Sequence, residues 1–438
     1  MSSRNINSFM YSNDTLTQQT NNHNHPLQQN EQQYILYKKY ISIHAEDRDI
    51  IKYPDSSHFE IELPQDLLNI LTVKLVNWTF PPNNHYIVYS PRFFNVQLAF
   101  QINRPFNLSP AGYSIPIYDV IFTALFLNQY QYYYITIETG TYTPQQMAVE
   151  LTRRMNQSVS EVVIDYLQNT TTPNYNPVEY PILLNQFIQM GGYAGFIVVH
   201  NEVTRKLWFG NRTDGFIISN SIIIKENCSQ NKACIVKNKV PEFLTNVGLP
   251  GYLGLSIEDI SATTSTDITI ARFYYGDVTL GDNGYWLTPN PSLPGSQVYW
   301  VESPYPNTIE RPNYLYLEIL GLNSIDETYP FQLSEFTATT NGTNGVVQSA
   351  FAKINISPTG TTNANTAQGA DGSLLPYKIF VPPAERMRRL KIGLRYHNGI
   401  YVDFGGFPWS FMLEFGILQP QQQRYMTPSL VNLQQLMI

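Results

Sequence analysis

"LKIGLRYHNGIYVDF", residues 390–404, decides how the rest of the chain is read. Apolar side chains alternate with others on both sides of His397-Asn398-Gly399. A period of two marks a half-buried strand, and Asn-Gly tolerates the positive φ of a tight hairpin turn. The stretch therefore predicts two antiparallel strands near the end of the chain. Arg389, Lys391 and Arg395 fall on one strand face, opposite Leu390, Ile392 and Leu394. The expected arrangement is apolar side inward and basic side toward solvent or an acidic partner.

The same alternation recurs upstream. In "SSHFEIELP", Phe59, Ile61 and Leu63 oppose His58, Glu60 and Glu62, with Pro64 as the expected strand end. "LTVKLVNWTFPP", "RFFNVQLAFQI", "QYYYITIETG", "PNYLYLEILGL", "YKIFVPP" and "FPWSFMLEFGIL" are further strands, and "GFIVVHNEVTRKLWFGN" reads as a hairpin. One helix is well marked, in "TYTPQQMAVELTRRMNQ". Thr143 is its N-cap, Pro144 its first residue, and Gln146 completes a capping box; Met147, Leu151 and Met155 share a face. The fold class is mainly β: a jelly-roll-like antiparallel β-sandwich with an inserted region carrying at least one helix, plus flexible arms.

The segments follow. Residues 1–33 are polar and low in complexity, an arm unable to bury enough apolar surface to order itself. Residues 34–140 form the first part of the sandwich, 141–305 an inserted helix/β region, and 306–418 the second part. Residues 419–438 form a C-terminal tail whose apolar tip, Leu433, Leu436, Met437 and Ile438, is suited to docking on a neighbour or on its own body.

Charged residues are only 14% of the 438, against about 25% in ordinary globular proteins. Aromatic residues are 13%, with 31 tyrosines. Low charge and abundant tyrosine suit surfaces buried in an assembly. A net charge of −7 argues against wrapping nucleic acid as the main task. The start of the chain lacks the apolar run of a secretory signal, and "VIFTALFL" at 120–127 is too short to span a bilayer, so a soluble protein of intracellular origin is expected. Cys228 and Cys234 read as free thiols, with a bond across the short loop between two strand-like runs as the alternative.

Chemistry-bearing motifs are scarce. There is no G-x-S-x-G elbow, no phosphate-binding G-x-x-x-x-G-K-[ST] loop and no strand–G-x-G-x-x-G–helix unit. His58, Glu60 and Glu62 on one strand face, and His44, Glu46, Asp47 and Asp49 in an acidic loop, have donor types that hold divalent cations. They read as a solvated face and a solvated turn, and no cofactor, metal or catalytic residue is assigned. The dense basic cluster Arg386, Arg388, Arg389, Lys391 and Arg395 is the candidate interface, together with the four apolar tail residues.

"YISIHAEDRDIIKYPDSSHFEIELPQDLLNILTVKLVNWTFP" resembles the opening of minor capsid proteins of large icosahedral nucleocytoplasmic DNA viruses, the giant viruses. Its turn is Asp47-Arg48-Asp49, its loop Tyr53-Pro54-Asp55-Ser56, and its ending Leu63-Pro64. "ITIETGTYTPQQMAVELTRRMN" and "RLKIGLRYHNGIYVDFGGFPWSFMLEF" are similar to that family's strand–helix element and closing hairpin. The resemblance implies a non-enzymatic structural protein of the virion capsid, made in the host cytoplasm. Its implied partners are the major capsid protein and other minor capsid proteins, with a homo-trimer or homo-pentamer, proximity to an internal viral membrane, and no specific nucleic acid. A penton (vertex) protein of the same capsid is the alternative. From a different class, the aromatic content fits a carbohydrate-binding or carbohydrate-active β-sandwich at the particle surface.

Overall fold

The structure, a computed structural model, describes residues 34–81, 87–104, 115–171, 175–230, 248–256, 258–264, 286–293, 295–309, 314–329, 346–356, 365–366, 377–397, 399 and 401–420. Contacts divide the chain into two units, residues 1–37 with 418–438, and residues 38–417. In the first unit the described residues are 34–37 and 418–420, the outer ends of two strands. Residues 1–33, Leu433, Leu436, Met437, Ile438 and Cys234 lie outside the described residues, as does the side chain of Cys228.

The chain opens with β1 (Tyr34–His44) and β2 (His58–Thr79). The middle supplies β3 (Gln97–Asn103), α1 (Pro116–Leu127), β4 (Tyr133–Thr136), α2 (Pro144–Gln168), α3 (Glu179–Gln189), β5 (Phe196–Asn201), β6 (Lys206–Asn211) and β7 (Gly215–Ile218). Then come α4 (Asn220–Gln230), α5 (Leu249–Tyr252), β8 (Ile260–Ser261), β9 (Thr263–Thr264) and β10 (Tyr299–Glu302). The last part holds β11 (Tyr314–Ile319), β12 (Ile325–Tyr329), β13 (Val346–Ala350), β14 (Ala352–Asn355), β15 (Asn365–Thr366), β16 (Tyr377–Arg395) and β17 (Ser410–Pro420). The fold is mainly β and antiparallel, as the alternating pattern predicts.

The largest sheet runs β1-β17-β2-β16-β11-β14, with β15 also on β2. Strands from the two ends of the sequence are therefore neighbours. Phe59 faces Ile392 and Ile61 faces Leu390 across β2 and β16, and Phe411 faces Trp78 across β17 and β2. Pro64 does not end β2. It lies where the register slips, between the pairs Met387↔Leu67 and Arg389↔Glu62. Pro382 and Pro383 lie in a second slip, between Ile379 and Ala384. A proline lacks the N–H a ladder needs, so bulges are where a long strand accommodates one. The bulges also explain why β2 loses its strict period of two after Leu63: the later buried positions are Leu67, Ile70, Val73, Leu75 and Trp78.

One core lies on this sheet. Trp409 stacks on Phe411 with centroids 5.4 Å apart, meets Phe59 edge-on, and donates its indole N–H to Ser56 O at 2.8 Å. That bond lets a buried tryptophan satisfy its polar atom. A second core is built around α2, whose Met147, Leu151, Met155, Val159 and Val163 are all fully buried. The predicted capping box is formed: Gln146 N donates to Thr143 Oγ1 at 3.2 Å, and Thr143 N to Gln146 Oε1 at 3.0 Å. The "GFIVVHNEVTRKLWFGN" hairpin is formed as β5 and β6, from Phe196↔Asn211 to Asn201↔Lys206.

Two expectations are corrected. "SIIIK" is not a strand but the start of α4; Ser221 N is held by Asp259 Oδ1 at 2.9 Å and Ile223 is fully buried. Tertiary anchoring there overrides the strand propensity of three consecutive isoleucines. The final hairpin is shorter than its pattern. Gly399 has φ 82° and donates its N–H to Tyr396 O at 3.1 Å, while Asn398 lies outside the described residues. Tyr401 bridges to Arg395 and Val402 donates its N–H to Leu394 O at 3.0 Å, after which Asp403 bridges to Ile87.

Thr143→Ala is expected to cost about 1 kcal/mol in urea unfolding. Gly399→Val is expected to lower the melting temperature, because a β-branched residue resists positive φ; an unchanged melting temperature would show that the turn does not depend on this backbone state.

Candidate assembly surface

The basic cluster on β16 lies beside the carboxylates of β2. Arg386 Nη2 is 2.6 Å from Asp66 Oδ2. Arg388 Nε meets Glu62, with Asp66 at 4.0 Å. Arg389 Nη1 is 3.7 Å from Glu60, which also accepts from the Tyr53 hydroxyl at 3.1 Å and has Lys52 at 4.0 Å. Lys391 is exposed, in register with Glu60. The expected basic patch is thus a ladder of cross-strand pairs, largely neutralised by its neighbour. Side chains more than half exposed, as those of Arg386, Arg388 and Arg389 are, gain little from such pairs.

Arg395 departs from the expected outward face. Its side chain is 2% exposed, with Nε on Glu318 of β11 and Nη1 on Glu327 of β12. Nη1 also donates to Tyr396 O at 3.2 Å, and the guanidinium lies 5.0 Å from the Tyr316 ring. His397 Nδ1 is 3.0 Å from Glu327 Oε2. Burial, then the hydrogen bond to Glu327, pushes the Tyr316 hydroxyl well up. The alternation that placed Arg395 outside fails at the end of β16, where β12 folds over the strand's polar side. A buried arginine between two carboxylates is a structural tie.

The residues with cation-binding donor types have other partners. His58 stacks on Tyr401 at 4.9 Å, while its neighbours Glu60 and Glu62 are taken by the arginines. His44 is 4.0 Å from Glu46, and Asp49 Oδ1 accepts from Ile51 N and Lys52 N, closing the turn that Arg48 brackets from Ala45 O to Pro54 O. The Asp-Arg-Asp turn therefore works as a backbone clamp. Arg92 continues it through Asp55, whose carboxyl is partly desolvated yet held below the usual range by Ser57 and Arg92.

A feature that the interface assignment missed is β1. It is the outer strand of the largest sheet. Ile35, Leu36, Tyr37 and Tyr40 are exposed, while Ile41 and Ile43 are buried. Tyr40 OH donates to Glu414 Oε2 at 2.7 Å, and Lys38 Nζ sits 3.2 Å from Glu414 Oε1. Burial pushes the Glu414 carboxyl up, but Tyr40 and Lys38 outweigh it and hold it below its ordinary value. The signal was present in "YILYKKYISIH", whose first half is apolar on both faces.

No family model matches the chain, and no curated protein does. Among solved structures, it is similar to a mavirus penton protein, at 6% identity and a TM-score of 0.27, covering 88% of this chain and 100% of that one. It is also similar to a chain of the Sputnik virophage cryo-EM structure, at 12% identity and a TM-score of 0.30, covering 87% and 98%.

Two outcomes are expected. Arg395→Ala should destabilise by about 3–5 kcal/mol because it strands buried Glu327, whereas Arg388→Ala should cost about 0–1 kcal/mol; denaturant unfolding of both variants separates the roles. The hold of Glu414 on β1 should be complete above the ordinary glutamate pKa of 4.5 and be lost as pH falls through the lower native value. Amide protection in β1, corrected for the intrinsic exchange rate at each pH, should fall on acidification in the wild type and lose that extra pH dependence in Glu414→Gln.

Proposed function

We propose that this chain is a non-enzymatic structural component of a large icosahedral viral capsid, a minor capsid protein joining or supporting capsomers through sheet faces and extended arms. The observation that carries the reading is the outer edge of β1, which pairs with no other strand among the described residues. Natural proteins blunt long apolar edges with charge, proline or bulges, because an open edge pairs with other chains. Here Lys38 is engaged by Glu414, and Ile35, Leu36, Tyr37 and Tyr40 stay exposed. An edge of this kind is useful to a subunit that is completed by its neighbours, since main-chain bonds give affinity and alternate side chains give register.

Low charge and high aromatic content support the same reading, as does the resemblance of the opening and closing segments to minor capsid proteins. The partners are then the major capsid protein and other minor capsid proteins, and the place is the virion. The neutralised ladder on β2 and β16 fits this use better than a nucleic-acid surface would, because its arginines already have carboxylates.

Light scattering of the full chain tests the edge directly. The wild type should form a defined oligomer, and Ile35→Lys/Tyr37→Lys should abolish it without lowering the melting temperature. A wild-type monomer at every concentration, indifferent to the substitutions, would overturn the reading of β1 as a self-assembly seam.

A further inference from the structure

A groove of about 600 Å³ lies away from β1, between β4 and α2. Gln131 and Tyr132, which lead into β4, and Tyr133 and Tyr134, its first two residues, form one wall. From α2 come Ser158, Glu161, Val162, Asp165 and Tyr166, with its C-cap Asn169, at spacings of three and four that fall on one helical face. Eleven helical rises make that face roughly 16 Å long, the span of about five extended residues. The site is a trough rather than a point of convergence.

β4 is the outer strand of its sheet, paired on one side with β3. Ile137 donates its N–H to Val96 O at 2.9 Å. Strand amides alternate in direction, so Tyr133 and Ile135 turn theirs to β3, and Tyr134 and Thr136 turn theirs to the other edge, which pairs with no strand among the described residues. An open strand edge beside a helix face is the geometry that receives an extended peptide by strand addition.

The lining also has a charge. Glu161 and Asp165 stand one helical turn apart, and no lysine, arginine or histidine is among the described lining residues. Gln157 Nε2 donates to Glu161 Oε1 at 2.9 Å, which orients the carboxylate. Tyr132 and Tyr134 are exposed and offer ring faces to a cation and its aliphatic stem. We propose that this groove binds an extended, lysine- or arginine-bearing segment of another protein chain, added as a strand to β4. The proposal stands independently of the capsid reading.

The probe is a fluorescein-labelled peptide, Lys-Thr-Lys-Val-Lys-Thr, titrated with the full chain and followed by anisotropy. Saturable binding is expected. It should weaken about tenfold or more when alternate peptide nitrogens are methylated, and again in Glu161→Gln/Asp165→Asn at an unchanged melting temperature. The glutamate counterpart of the peptide should not compete. Equal affinity for the methylated peptide would overturn strand addition. Absence of binding up to millimolar concentration, or displacement of the peptide by a neutral chito-oligosaccharide that binds more tightly, would overturn the proposal and, in the second case, assign the tyrosine wall to glycans.

Discussion

The pairing of β2 with β16 is the constraint on which the rest of the described fold depends. It joins residues 58–74 to residues 377–393, more than three hundred positions apart. Once it is formed, β17 has a bed on the other side of β2, β1 has one on β17, and β11 has one on β16. Such long-range pairing has a high loop-closure cost before any contact rewards it. The sequence meets that cost with two codes read together. Phe59, Ile61 and Leu63 supply an apolar face, and Glu60, Glu62 and Asp66 supply carboxylates that match Arg386, Arg388 and Arg389 across the ladder. The arginine pairs add little energy in water, yet a one-residue slip would turn them away from their carboxylates and turn the apolar face outward, so they serve pairing specificity.

Charge is therefore spent in two ways. On the exposed face of β16 it fixes register at small energetic gain. At the end of the same strand it is buried, where Arg395 ties β11, β12 and β16 through Glu318 and Glu327. The buried pair Arg104 and Asp214 has the same character in the second core: Tyr193 OH donates to Asp214 at 2.7 Å and the guanidinium lies 3.4 Å over Phe122.

Much of this was legible in the sequence. The period of two gave β2, β11 and β16, and Thr143-Pro144-x-Gln146 marked the start of α2 with its cap bonds correctly placed. Three things were not legible, for physical reasons. Pro64 reads as a strand end because a local rule cannot see the bulge that shelters it. Ile222 and Ile223 read as strand because propensity does not contain Asp259, which anchors the helix from a distance in sequence. Arg395 reads as solvent-facing because alternation reports two faces of a strand, not what covers them. The candidate interface was sought in the basic cluster of β16 and the apolar tip of the tail; β1 was less visible, since an exposed isoleucine and a buried one look alike until the edge is located.

The central claim is that the chain is built into a particle and is incomplete alone. Quantitative mass spectrometry of purified particles tests it most directly. The account predicts this chain in the particles at a fixed stoichiometric ratio to the major capsid protein, retained through washing. Its presence in infected cells together with its absence from purified particles would contradict the account.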